Sequence, residues 1–139
     1  MGTRCVITFE NDDGQFHVYK HWDGYPEGIA ECLKKAKRRA WKLPRFEPDE
    51  FAAAFVAANK SKEGDIRLMK EGNIKHVAPS DIEFHYVVKG YDHAVDPKQA
   101  VYVTAYEVNN WREWKAKMIC SYPLDTFIKE VLRLKPLAA

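Results

Sequence analysis

The sequence predicts an α+β fold: an antiparallel sheet of about five to seven strands with three helices packed mainly on one face. Three observations carry that prediction. Strand-like stretches cluster and do not alternate with helices. Ile82, Phe84, Tyr86 and Val88 alternate strictly with Glu83, His85 and Lys89. Apolar residues recur at helical spacing over Ile29, Leu33, Ala36, Ala40 and Trp41, and again over Leu124, Phe127, Ile128, Val131 and Leu132. The expected order is β-β-α-α-(β-β)-β-β-β-α, in a single domain spanning residues 1–139.

Residues 3–9 read as a strand with Cys5, Ile7 and Phe9 on one face. Asn11-Asp12-Asp13-Gly14 predicts a tight turn, because Asp-Gly tolerates positive φ. Residues 15–21 return, with Phe16, Val18 and Lys20 on one face and His17, Tyr19 and His21 on the other. Pro26 suits the first turn of a helix, where its missing N–H costs nothing. That helix ends at Leu43-Pro44. A second runs from Glu47-Pro48 to about Asn59, favoured by its alanines and a Phe51/Phe55 pair. Residues 60–64 form a polar loop. Ile66 with Leu68, a turn at Glu71-Gly72-Asn73, and Ile74 with Val77 suggest a second hairpin. Strands over 82–88, 101–106 and 114–120 then form a meander, with Trp114, Ala116, Met118 and Cys120 sharing a face. Gly90 to Pro97 is a loop and Asn109-Asn110 a turn. Ser121 is a candidate N-cap with Pro123 in the first turn of the last helix. Pro136 stops that helix, and the small tail frays.

The bulk numbers exclude more than they assign. The chain has 139 residues, 46% apolar and 30% charged, which suits one soluble domain. No apolar run approaches the ~20 residues of a membrane span. The first residues lack a signal-peptide pattern, so a cytoplasmic location is expected. Cys5, Cys32 and Cys120 are odd in number and contain no CxxC pair, which argues against a disulfide framework or a cysteine zinc site. The net charge of +2 does not by itself imply nucleic acid.

The densest chemistry lies in His21-Trp22-Asp23-Gly24-Tyr25-Pro26-Glu27-Gly28, where the hairpin meets the first helix. His21 and Asp23 are the candidate acid–base pair, and Trp22 and Tyr25 can stack on a flat group. Asp23 also suits a brace at the helix start, with both aromatics packed beneath it. His17 and His21 share a strand face ~13 Å apart, too far for one metal. His85 and His93 are too isolated in sequence to suggest a metal site, and the strand histidines fit a half-solvated sheet face. There is no GxSxG, P-loop, GxGxxG or HExxH pattern, so no cofactor is expected.

Two further surfaces stand out. Lys34, Lys35, Lys37, Arg38, Arg39 and Lys42 crowd one helix face, with Trp41 and Tyr25 flanking it. Such a face suits phosphates or an acidic protein, although a solvated helix face has the same composition. Tyr102, Thr104 and Tyr106 share a strand face, as on an RNA-stacking sheet, but no RNP motif accompanies them. A helix covering that face accounts for them with fewer assumptions.

The N-terminal hairpin with its acidic turn, followed by Tyr19-Lys20-His21-Trp22-Asp23-Gly24-Tyr25-Pro26, resembles a family of small phage and prophage proteins that open with a hairpin and an HWDGYP-like segment. The resemblance covers about the first 35 residues. It implies an accessory protein of a mobile element acting on a host factor, and it implies no activity.

Three functions are therefore expected, in order. The first is non-enzymatic binding of a host protein or nucleoprotein, with Trp22, Tyr25 and Trp41 as anchors and Lys34, Lys35, Arg38 and Arg39 as charge. The second is an enzyme or sensor for a nucleotide or phosphate ligand, with His21 and Asp23 in acid–base roles and Arg4 on phosphate. The third is a self-associating structural subunit.

Overall fold

A computed structural model describes residues 2–91 and 96–133. The expectations for His93, Pro136 and the tail fall outside those residues. The chain forms β1 (Cys5–Glu10), β2 (Gln15–Lys20), α1 (Pro26–Arg39), α2 (Pro48–Asn59), β3 (Ile66–Leu68), α3 (Ile74–Val77), β4 (Phe84–Gly90), β5 (Val101–Asn110), β6 (Lys115–Pro123) and α4 (Leu124–Arg133). A short 3-10 turn covers Pro97–Gln99. The class is α+β, as the sequence predicts.

The sheet has six strands in the order β3-β2-β1-β4-β5-β6. It is mixed, which corrects the antiparallel expectation. β1 and β4 run parallel, with Cys5 opposite Phe84 and Phe9 opposite Val88. The two antiparallel units, hairpin and meander, are joined edge to edge by that pair. Parallel partners need a long crossover, here supplied by β2, α1, α2 and β3. β1 is therefore central and buried on both faces, which explains its nearly unbroken apolar run Cys5-Val6-Ile7-Thr8-Phe9.

α1, α2 and α4 cover one face. Cys5, Ile7, Phe9, Val18, Tyr86, Val88, Val103 and Ala105 meet Ile29, Leu33, Phe51, Phe55, Leu124 and Phe127 there. Phe9 lies 5.9 Å from Phe51 and 5.6 Å from Phe55 between ring centroids. Each such buried ring contributes about 1.5–3 kcal/mol. A smaller cluster, Val6, Tyr19, Ile82 and Val108, lies apart from that core, and Met69, Ile74, Ala78, Trp111 and Trp114 pack on it.

Several local expectations change. Residues 74–77 are a helical turn and not a returning strand, because the Asn73 side chain accepts the Lys75 N–H and caps it. α1 stops at Arg39, so Trp41 lies beyond it, exposed, with Arg45 stacked 3.3 Å from its ring centroid. Ser121 is a strand residue opposite Thr104, its hydroxyl 2.9 Å from that of Thr104, and caps no helix. Ala105 faces Cys120 while Tyr106 faces Met118, leaving Ile119 as a bulge. The bulge breaks the expected common face of Met118 and Cys120. Tyr102, Thr104 and Tyr106 alternate with the core residues Val101, Val103 and Ala105, so they face away from the three long helices. Among the described residues no long helix covers those tyrosines.

Candidate functional site

The junction between β2 and α1 is held rigidly. The Gly24 N–H donates to the Thr3 carbonyl at 2.9 Å, and the Gly24 carbonyl accepts the Tyr86 hydroxyl at 2.7 Å. A Cβ at Gly24 would stand 2.7 Å from the Thr3 oxygen and 2.9 Å from the Cys5 sulfur. One at Gly28 would stand 2.1 Å from the Asp23 carbonyl oxygen. Both glycines are required by close approach, not by φ. Asp23 itself adopts φ 56°, in the left-handed region.

Asp23 does not brace the helix. The N-cap residue of α1 is Tyr25, with no side-chain cap bond. The exposed Asp23 carboxylate lies near the Tyr25 phenol, which burial and then that carboxylate push up from its ordinary value. Neither residue joins His21 in a cleft, so the expected His21–Asp23 pair is not assembled.

Arg4, His21 and Trp22 do converge. With Asp81, Glu83 and Trp111 they line a cleft of about 830 Å³. Arg4 donates to the Ser80 carbonyl at 3.4 Å and stands 3.8 Å from the Asp81 carboxylate. The Tyr19 hydroxyl lies 2.5 Å from His21 Nδ1, and the Trp22 ring meets His21 edge-on at 4.5 Å. Burial, then the cations Arg4, Arg67 and Lys62, push His21 below its ordinary value, so the ring is neutral near pH 7.

The 60–64 loop reaches Trp22 of this cleft through Lys62. Asp65 is buried and accepts the Ser61 and Lys62 N–H groups at 2.8 and 3.1 Å. Burial alone would raise Asp65, but those donors and Lys60 hold it well below the usual carboxylate range. The pinned loop delivers Lys62 to 4.0 Å from the Trp22 ring centroid.

The basic face lies toward the other end of α1, which at 14 residues is about 21 Å long. Lys34, Lys35, Arg38 and Arg39 are exposed, while Lys37 is half-buried and paired with Asp125 of α4. Lys34, Lys37 and Arg38 line a groove of about 670 Å³, to which Lys98 and Lys129 contribute from other elements. Among the described residues its lining sets five cations against the carboxylate of Asp125. Lys98 and Lys129 were invisible to sequence reasoning, because neither is near α1 in the chain. Trp22 and Trp41 thus stand near opposite ends of α1.

A second feature also escaped the sequence. The Thr8 hydroxyl lies 2.7 Å from His17 Nδ1 and 2.7 Å from His85 Nε2. All three are buried, which corrects the half-solvated expectation for His17 and His85, while His21 is half-buried. Burial, then His17, hold His85 down at about 4. Burial also lowers His17, against the opposing pull of the Gly72 backbone and Glu10. Among the described residues its buried Nε2 has no hydrogen-bond partner. The signal was a threonine inside an otherwise apolar central strand.

A third cleft, about 660 Å³, lies between α2 and the sheet edge, walled in part by Phe16, Val18, Ala53, Val56, Leu68 and Met69. It gathers none of the sequence-predicted site residues. No three acidic, histidine or cysteine side chains are grouped for a metal among the described residues. No helix there is long and apolar enough to cross a membrane.

The fold and its clefts define an α+β domain with a mixed sheet, one polar aromatic cleft and one basic groove. Comparison with protein-family models, curated proteins and solved structures finds no match.

Proposed function

We propose that this chain is a non-enzymatic binding protein that meets the acidic surface of a host protein or nucleoprotein inside the cell. The observation that carries this is the groove between α1 and α4, where five cations face one carboxylate. Cations from three elements concentrated in one concavity raise the local potential far more than a net charge of +2 suggests. Lys35 and Arg39 extend that charge along the exposed helix. Tyr25 and Trp41, 40% and 38% exposed, supply apolar anchors near its two ends. The resemblance of the opening hairpin and junction to phage and prophage proteins points to an accessory role for a mobile element.

Heparin and labelled polyglutamate serve as polyanionic probes. Replacing Arg38 and Arg39 together by Glu is expected to weaken retention at least about tenfold, roughly 1.4 kcal/mol, without lowering the thermal midpoint. Unchanged retention at an unchanged midpoint overturns the reading.

Self-association is a second reading, favoured by Met118, Ile119 and Tyr122, which stand exposed on the edge strand β6. Lys115, Lys117 and the Ile119 bulge oppose continuous edge pairing. Sedimentation over a wide concentration range separates the two. A single monomeric species throughout removes the second reading.

A further inference from the structure

The cleft at the β2–α1 junction is separate from the basic groove and carries its own inference. We propose that it is a nucleotide site, taking a planar heteroaromatic ring against its tryptophans and the attached phosphate on Arg4 and His21. The volume, about 830 Å³, falls in the range of small-molecule sites, roughly 300–1,000 Å³.

Two indoles, Trp22 and Trp111, belong to the cleft lining. Each carries a cation: Lys62 lies 4.0 Å from the Trp22 centroid and the Arg112 guanidinium 4.9 Å from the Trp111 centroid. Every base offers a π-face to such rings, so stacking there tolerates any of the four bases.

The polar end offers Arg4 as the cationic contact for an anion among the described lining residues. A guanidinium has five N–H donors. Arg4 uses them on one long bond to the Ser80 carbonyl and a loose 3.8 Å pairing with Asp81, whose side chain is 68% exposed. Donors therefore remain for a phosphate, which a guanidinium grips in bidentate fashion. His21 is oriented by the Tyr19 hydroxyl at Nδ1. A phenol donating there leaves the imidazole proton on Nε2 as a further donor. Arg4, Arg67 and Lys62 are cations near His21, and of the three Arg4 lines the cleft. Asp81 and Glu83 also line the cleft, and they disfavour a polyphosphate relative to a monophosphate. Asp23 has no part in this site.

The test titrates the folded chain with the four ribonucleoside monophosphates, the matching nucleosides, and inorganic phosphate. Binding is read by thermal shift and by NMR of the His21 ring. At least one monophosphate is expected to bind saturably, about tenfold or more tighter than its nucleoside and than phosphate. Arg4→Gln is expected to remove the preference for the nucleotide over the nucleoside. Trp111→Ala is expected to weaken both. Lys34→Glu with Arg38→Glu is expected to change neither, which separates this site from the basic groove. Absence of binding by every monophosphate overturns the proposal. So does phosphate binding as tightly as the nucleotide, or saturation that leaves the His21 ring signals unmoved. The His21 signals are read in the unsubstituted chain, so the test stands even if a variant fails to fold.

Discussion

Thr8, His17 and His85 show how a few polar atoms in a core fix a protein's pH response. One hydroxyl bridges two buried imidazoles at 2.7 Å on each side. A hydroxyl gives one hydrogen and accepts others, so it serves two neutral rings when one donates and one accepts. An added proton on either ring must be carried in a site that burial disfavours. His85 titrates at about 4 in the fold against an ordinary 6.5. A depressed histidine contributes stability that is present above about pH 6.5 and is lost as pH falls toward 4. The shift corresponds to about 3 kcal/mol across that window. Urea unfolding between pH 7 and 4 should therefore show falling stability, with a shallower slope in His85→Gln. Asp65 loses most of its own contribution below its ordinary 3.8, so only the onset of that loss falls inside the window. An equal slope in both proteins would rule out His85 as the source.

At the scale of elements, the start of α1 is set by contact with the turn before it. Alanine favours helix over glycine by about 1 kcal/mol. Gly28→Ala is nevertheless expected to destabilise the chain by about 1–3 kcal/mol, because its Cβ would stand 2.1 Å from the Asp23 carbonyl oxygen. Chemical unfolding checks the sign, and a gain in stability contradicts the packing described. Elements whose signal is local were legible in the sequence. The β1–β2 hairpin falls where Asn11-Asp12-Asp13-Gly14 places it, although the Asn11 side chain, accepting the Asp13 and Gly14 N–H groups, holds the turn and not a positive φ at Asp13 or Gly14; α2 follows from its alanines, and the β4–β5–β6 order from alternation. Elements set by contact were not. Ile74 and Val77 suit a strand or a helical turn, and only the Asn73 cap decides. The β6 bulge depends on how β5 pairs with it, which alternation does not encode. Trp41 fits the helical spacing, yet the backbone leaves the helix before reaching it.

At the scale of the molecule, the parallel pairing of β1 with β4 brings residues 5–10 beside 84–89. That pairing sets His85 near Thr8. Contacts between the same regions also bind the Arg4 carbonyl to the Glu83 N–H at 2.9 Å, which assembles the junction cleft. Half of that cleft was legible, since Arg4, His21 and Trp22 lie within the hairpin and the segment after it. Trp111, Asp81 and Glu83 arrive from afar. The basic groove was legible as a helix face but not as a groove, because Lys98 and Lys129 join it only through packing. Comparing two charge reversals on α1 decides whether the groove is the binding surface. Lys34→Glu with Arg38→Glu alters groove residues, while Lys35→Glu with Arg39→Glu alters exposed residues outside the groove lining. Each is titrated with heparin across a salt series. The groove pair should lose the greater affinity and flatten the salt dependence by about two units of log–log slope. Equal losses from the two pairs, or none from the first, would contradict the groove as the binding surface.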